Sequence, residues 1–221
     1  MKNNEKSPNE VSKRVKFKVS DFNKFLLSVV IYIISIALFT YFLRFPYIFN
    51  TEITYNVILY VSFAPILIFS AGIMFRPWTA LFTCVLGSVL GELCYCLVYG
   101  CGESLPAYLL FMVASPGLAG MLISKIHQKL KPRLINEIAA MIVGAIWLFI
   151  GLLIAAFLYY EVFIAHFYWQ LYIVYILAPL LLTIHSFLLI PISVILNLAI
   201  KHIFKVQYFD DFLGINQVNN N

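Results

Sequence analysis

Glu92 is the residue whose chemistry most needs an explanation. It sits in GSVLGELCYCLVYGCGE, residues 87–103, a run that is otherwise small, apolar or aromatic. A carboxylate at the centre of a lipid-embedded helix costs about 2.5–3.5 kcal/mol on insertion scales, and less toward the interface. Tyr95, Cys96 and Tyr99 follow it at i+3, i+4 and i+7, so on a helix they share its face. Glu103 comes just after. One acid, two phenols and a thiol on one stripe suit a solute site: the acid binds an amine or ring nitrogen and the rings stack on a planar group. Two other readings use the same residues. The acid could be protonated and hydrogen-bonded to a neighbouring helix, or it could relay protons. His185 is the second ionisable group inside an apolar run, with Thr183 and Ser186 beside it and Asn197 further along.

Other chemistry is hard to build from this chain. Of the four cysteines, Cys94, Cys96 and Cys101 have a C-x-C-x4-C spacing that matches no standard zinc pattern, and Cys84 stands apart. Thiols in apolar runs commonly serve as small apolar side chains, so no metal and no cofactor is expected. The sequence contains no G-x-S-x-G, no H-E-x-x-H and no P-loop. His127, His166, His185 and His202 are scattered. An enzyme is therefore not expected, and any pumping would draw on an ion gradient or an ATP-hydrolysing partner.

The elements that must position Glu92 follow from composition. The chain has 221 residues, 62% hydrophobic and 11% charged, with mean hydropathy +0.92. Soluble domains are roughly 45–50% apolar and about 25% charged, so the expected solvent is a bilayer. A spanning helix needs about 20 mostly apolar residues. Six segments qualify: 25–43, 57–74, 78–99, 105–126, 138–160 and 171–200. The last is over-long and contains Pro179 and Pro191, which predict a kink or tilt. Gly87 and Gly91 form a GxxxG, and Gly117, Gly120, Gly144 and Gly151 extend the small-residue pattern expected where lipid-embedded helices touch. Pro116-Gly117 predicts a bend in the fourth span.

The charges test this layout. With six spans and a cytoplasmic N-terminus, every Lys and Arg except Arg44 falls on the inner side, as retention of positive charge in the cytoplasm requires. The expectation is an all-α, polytopic, six-transmembrane-helix bundle in the cell membrane with both termini cytoplasmic. Residues 1–21 form a basic cytoplasmic arm, 22–205 the transmembrane domain and 206–221 a polar tail. The lysines of the arm suit anionic lipid headgroups rather than nucleic acid. The outer loops FPYIFNTEITY, GCGES and EVFIAHFYW are rich in rings, which suits either an interfacial belt or a lid.

With the spans placed, the chain resembles the substrate-binding S component of energy-coupling-factor vitamin transporters, over most of residues 22–205. In that family a turn opens the third helix and is followed by small residues and an acid. Here Phe75, Arg76, Pro77, Trp78, Thr79 and Ala80 precede Gly87, Gly91 and Glu92. The family's small-residue pattern in the fourth helix is matched by Pro116-Gly117-Leu118-Ala119-Gly120. PLLLTIHSF from Pro179 puts His185 near the polar position of its last helix. The resemblance implies a membrane subunit that binds a vitamin-like micronutrient for uptake. A transmembrane coupling subunit and ATPase subunits would supply the energy. It also implies a gating loop containing Phe45, Tyr47, Phe49 and Tyr55, and a substrate site formed by Glu92, Tyr95, Tyr99, Glu103, Trp169, Tyr172 and His185. The rival expectations are a structural or assembly scaffold without ligand and, further off, an intramembrane enzyme.

Overall fold

The structure is a computed structural model, and it describes residues 19–50, 56–99, 105–130, 133–159 and 169–210. Its order is α1 (Val19–Phe42), β1 (Arg44–Asn50), β2 (Asn56–Ser62), α2 (Ala64–Met74), α3 (Pro77–Tyr99), α4 (Leu105–Lys129), α5 (Leu134–Tyr159) and α6 (Trp169–Phe204). Among the described residues the architecture is helical, apart from one antiparallel ribbon in which Arg44 pairs with Ser62 and Asn50 with Asn56. Among the described residues four stretches are long and apolar enough to cross a membrane: Asp21–Phe42, Pro77–Val98, Leu134–Gly151 and Leu180–Phe204.

The second segment departs from expectation. Residues 57–74 are not one spanning helix: β2 occupies their first part, and α2 has only 11 residues. At 1.5 Å per residue that is about 16 Å, roughly half of a hydrocarbon core. The reason is local. Val57, Ile58 and Val61 are β-branched and suit an extended strand, and Pro65 suits the first turn of a helix, where its missing N–H costs nothing. The apolar character is continuous across the two elements, so hydropathy alone merges them. Every residue of α2 is buried, which makes it the central helix rather than a lipid-facing one. α6 is longer than expected, at 36 residues, and runs as a helix through both Pro179 and Pro191. α4 likewise continues through Pro116.

Close approaches set the helix directions. A Cβ built on Gly87 would lie 2.7 Å from Ile36 Cβ, and one on Gly91 2.6 Å from Thr40 Cβ, so α3 packs parallel to α1 along its GxxxG. Gly117 faces Leu81 and Val85, whereas Gly120 faces Ala80 and Cys84, so α4 runs antiparallel to α3. Gly151 meets Ser115 and Gly144 meets Ile123, which fixes α5 antiparallel to α4. α2 is bracketed by Tyr32 of α1, whose hydroxyl lies 2.7 Å from Ser70 Oγ, and by Ser193 of α6, whose hydroxyl donates to the Ile66 carbonyl at 3.1 Å. Among the described residues the six helices therefore alternate in direction along the chain, with α2 at the centre. The start of α1 and the end of α6 lie at one end, together with Lys24, Arg76, Lys125, Lys129, Arg133 and Lys201. That is the basic end. The ribbon lies at the other.

Candidate functional site

Glu92 belongs to the interior side of α3. Trp78, Phe82, Leu86, Leu90 and Leu97 are exposed and form the lipid-type stripe of this helix. At 100° per residue Glu92 is about 120° around from Leu86. It continues the line of Leu81, Val85 and Ser88, the first two of which meet Gly117 of α4. Glu92 and Tyr95 are half-buried and Cys96 is buried. Sequence spacing had placed these three on one face, and the helix puts them there. Cys96 is disulfide-bonded, whereas Cys84 and Cys94 are free thiols.

A layer can be traced across the bundle at this height. Gly91, next to Glu92, rests on Ala37 and Thr40 near the end of α1. At that end the Leu43 carbonyl accepts a hydrogen bond from the Phe63 N–H at 3.1 Å, which fastens the start of α2 to the end of α1. Phe63 in turn meets His185 of α6 edge-on, with ring centroids 5.2 Å apart. Glu92, the first turn of α2 and His185 thus lie at one height, reached from three helices. Glu92 and His185 approach it from different sides. α3 packs on α1 and α4, α6 packs on α5 and α2, and α2 stands between them. They are in one layer but not in one cluster.

The remaining expected residues are only partly described. For Tyr99, Trp169 and Tyr172 the structure describes helical backbone alone. Phe45, Tyr47 and Phe49 lie on β1, at alternate positions opposite Val61, Leu59 and Val57, so they share one face of the ribbon. The expected loop is therefore a strand over most of its length. Glu103 and Tyr55, together with Cys101 and His166, lie outside the described residues.

The basic end holds polar groups that sequence reasoning did not single out. Tyr32 and Ser70 share a hydrogen bond, and Ser70 Oγ donates to Asn197 Oδ1 at 2.5 Å, joining α1, α2 and α6 through the core. Ser124 Oγ donates to the Phe75 carbonyl at 2.6 Å, at the α2–α3 turn. Lys201 of α6 pairs with Glu137 of α5. Beside them His127 is 1% exposed. Burial holds its imidazole below the ordinary histidine range; the Glu137 carboxylate opposes that effect and Lys201 adds to it. Asp210 is also buried, and burial pushes its carboxyl above the usual range, against the hydrogen bonds it accepts from the Arg76 N–H and the Thr79 hydroxyl. Ser, Tyr and Asn are unremarkable in apolar helices, so only the tertiary fold identifies this set. Among the described residues no group of three or more His, Cys, Asp or Glu could hold a metal ion.

No protein-family model, no curated protein and no solved structure matches this chain.

Proposed function

We propose that this protein is a membrane-embedded binding subunit for a small organic solute of the vitamin-like kind, working in uptake with separate coupling and ATPase subunits. The observation that carries this reading is the layer at the ribbon end. There an acid, a phenol and an imidazole on two helices stand at the height where the 11-residue central helix stops. Among the described residues α2 does not continue beyond Phe63, and the chain before it is the ribbon strand β2. A half-buried carboxylate on the interior side of α3, at the end of the bundle that carries the ribbon, supports a site that takes a solute from that side.

In this reading the ribbon end faces outward and the basic end faces the cytoplasm, in the cell membrane, with α4 and the β2–α2 unit completing six passes. Two independent features favour that orientation. The lysines and arginines gather at the opposite end. Cys96, near the ribbon end, is disulfide-bonded, and disulfides persist in oxidising compartments rather than the cytosol. Glu92 and Tyr95 would bind the basic and planar parts of the solute. His185 would contact it from across α2, and Phe45, Tyr47 and Phe49 would form the cover.

Native mass spectrometry of the gently purified protein tests this. The wild type should carry a small molecule that Glu92→Gln loses while staying folded. A wild type that is folded and empty, or a Glu92→Gln variant that keeps its cargo, would remove the assignment.

A further inference from the structure

The basic end is closed in an unusual way. α2 stops at Met74, and the chain passes through Phe75 and Arg76 into α3. Below that turn the bundle is completed by the residues that follow α6. Lys205 has φ 51° and its N–H still closes on the Lys201 carbonyl at 2.9 Å. This left-handed residue ends the helix and turns the chain back, in a conformation that side chains disfavour.

Residues 206–210 then run back into the bundle. Phe209 is buried, with its ring centroid 5.3 Å from Phe75, 6.1 Å from Tyr32 and 5.5 Å from Phe204. Asp210 is buried beside it. Its two carboxylate oxygens accept from the Arg76 N–H at 2.8 Å and the Thr79 hydroxyl at 2.9 Å. Arg76 immediately precedes α3, so Asp210 satisfies a donor at that helix start from 134 residues away. The Tyr208 ring lies 5.6 Å from His127 of α4. Six residues thereby touch α1, the α2–α3 turn, α3, α4 and α6.

We propose that residues 205–210 form a strap that plugs the basic end of the bundle and withdraws as a unit, so that the centre opens toward that side only when Phe209 and Asp210 leave. Three features make withdrawal feasible. The joint is a single strained residue. The plug is one aromatic ring and one carboxylate rather than a helix seam. The hydrogen bonds from the Arg76 N–H and the Thr79 hydroxyl, together with the nearby Arg76 charge, only partly offset the loss of the carboxylate's hydration. The strap depends on the bundle alone and not on Glu92 or any solute, so its failure and the failure of the binding reading are distinguishable.

Two native thiols provide the test. Cys84 is fully buried on α3, 4.0 Å from the Ile68 carbonyl of α2, and Cys94 is exposed toward the other end. The full-length protein in detergent is treated with a charged methanethiosulfonate reagent and followed by intact mass. In Phe209→Ala and Asp210→Ala the modification rate at Cys84 should rise at least tenfold, with the Cys94 rate and helicity unchanged. An unchanged Cys84 rate overturns the proposal. So does equal acceleration of both thiols, which marks loosening of the whole bundle. Hydrogen exchange on the wild type gives a second measure free of any variant. Peptides covering 75–80 and 205–210 should exchange together, and at least tenfold faster than α2. If both exchange as slowly as α2, the segment is a fixed part of the fold and the proposal fails.

Discussion

The two ends of this bundle hold their polar residues in contrasting ways. At the basic end Ser70, His127, Asn197, Phe209 and Asp210 are at most 2% exposed. Most of the polar ones there are tied to named partners on other helices. At the ribbon end Glu92, Tyr95 and His185 are half-buried, and the helices that carry them are separated by α2. Polar groups sealed among partners fix how helices pack. Polar groups that are only half-buried contribute less to that packing. The sealed end therefore predicts large stability effects on mutation, and the open end predicts small ones.

Phe75→Ala should show the largest effect. This side chain is fully buried and packs edge-on against Tyr32 with ring centroids 5.1 Å apart. Truncating it should cost about 3–5 kcal/mol, read as lost thermal stability in detergent. A cost near zero would mean that the basic end is not packed as described. Asn197→Ala comes next. It leaves Ser70 without its acceptor, and the expected cost is about 1–3 kcal/mol. Glu92→Gln supplies the contrast, with less than about 1 kcal/mol expected at a half-buried position. If Glu92→Gln destabilises as much as Asn197→Ala, the carboxylate is a packing element and the distinction between the ends collapses.

The smallest effect concerns pH. His127 is held below its ordinary value of 6.5, so the folded state binds fewer protons than the unfolded state once the pH falls below that value. Stability should then be full above about pH 6.5 and decline as the solution is acidified toward the depressed folded value. The groups that face it are Glu137, Lys201 and Tyr208. His127→Gln should flatten this decline in thermal unfolding followed between pH 7 and 5. An unchanged slope would assign the pH dependence elsewhere. Asp210 acts in the opposite sense. Its raised carboxyl makes the folded state the better proton binder just above pH 3.8, so stability there falls as pH rises.

The long helices were legible in the sequence because twenty apolar residues in a row have few alternatives. Glu92 was legible because charge in such a run is costly, and its interior facing follows from the exposed stripe of Phe82, Leu86 and Leu90. The break between β2 and α2 was not legible by hydropathy, since both elements are apolar. Its signals were subtler: the β-branched residues at 57, 58 and 61 and the proline at 65. The strap was beyond reach. Gln207 and Asp210 read as tail, and nothing near them in sequence announces Arg76 and Thr79 as partners. The Tyr32–Ser70–Asn197 chain was equally hidden, because Asn197 stands out in its apolar run but nothing in the sequence pairs it with Ser70 and Tyr32.

The brevity of α2 bears on how the chain enters the bilayer during synthesis. α2 alone is too short to cross, and only the apolar run that it shares with β2 approaches spanning length, yet α3 must end up pointing the same way as α1. In the finished bundle the return leg is held by later elements: α3 closes its glycine seam onto α1, and α4 brings Ile123 against Gly72. A bulky replacement at Gly72 should therefore appear first as an inverted α3 in nascent chains, before any measurement on the finished protein registers it.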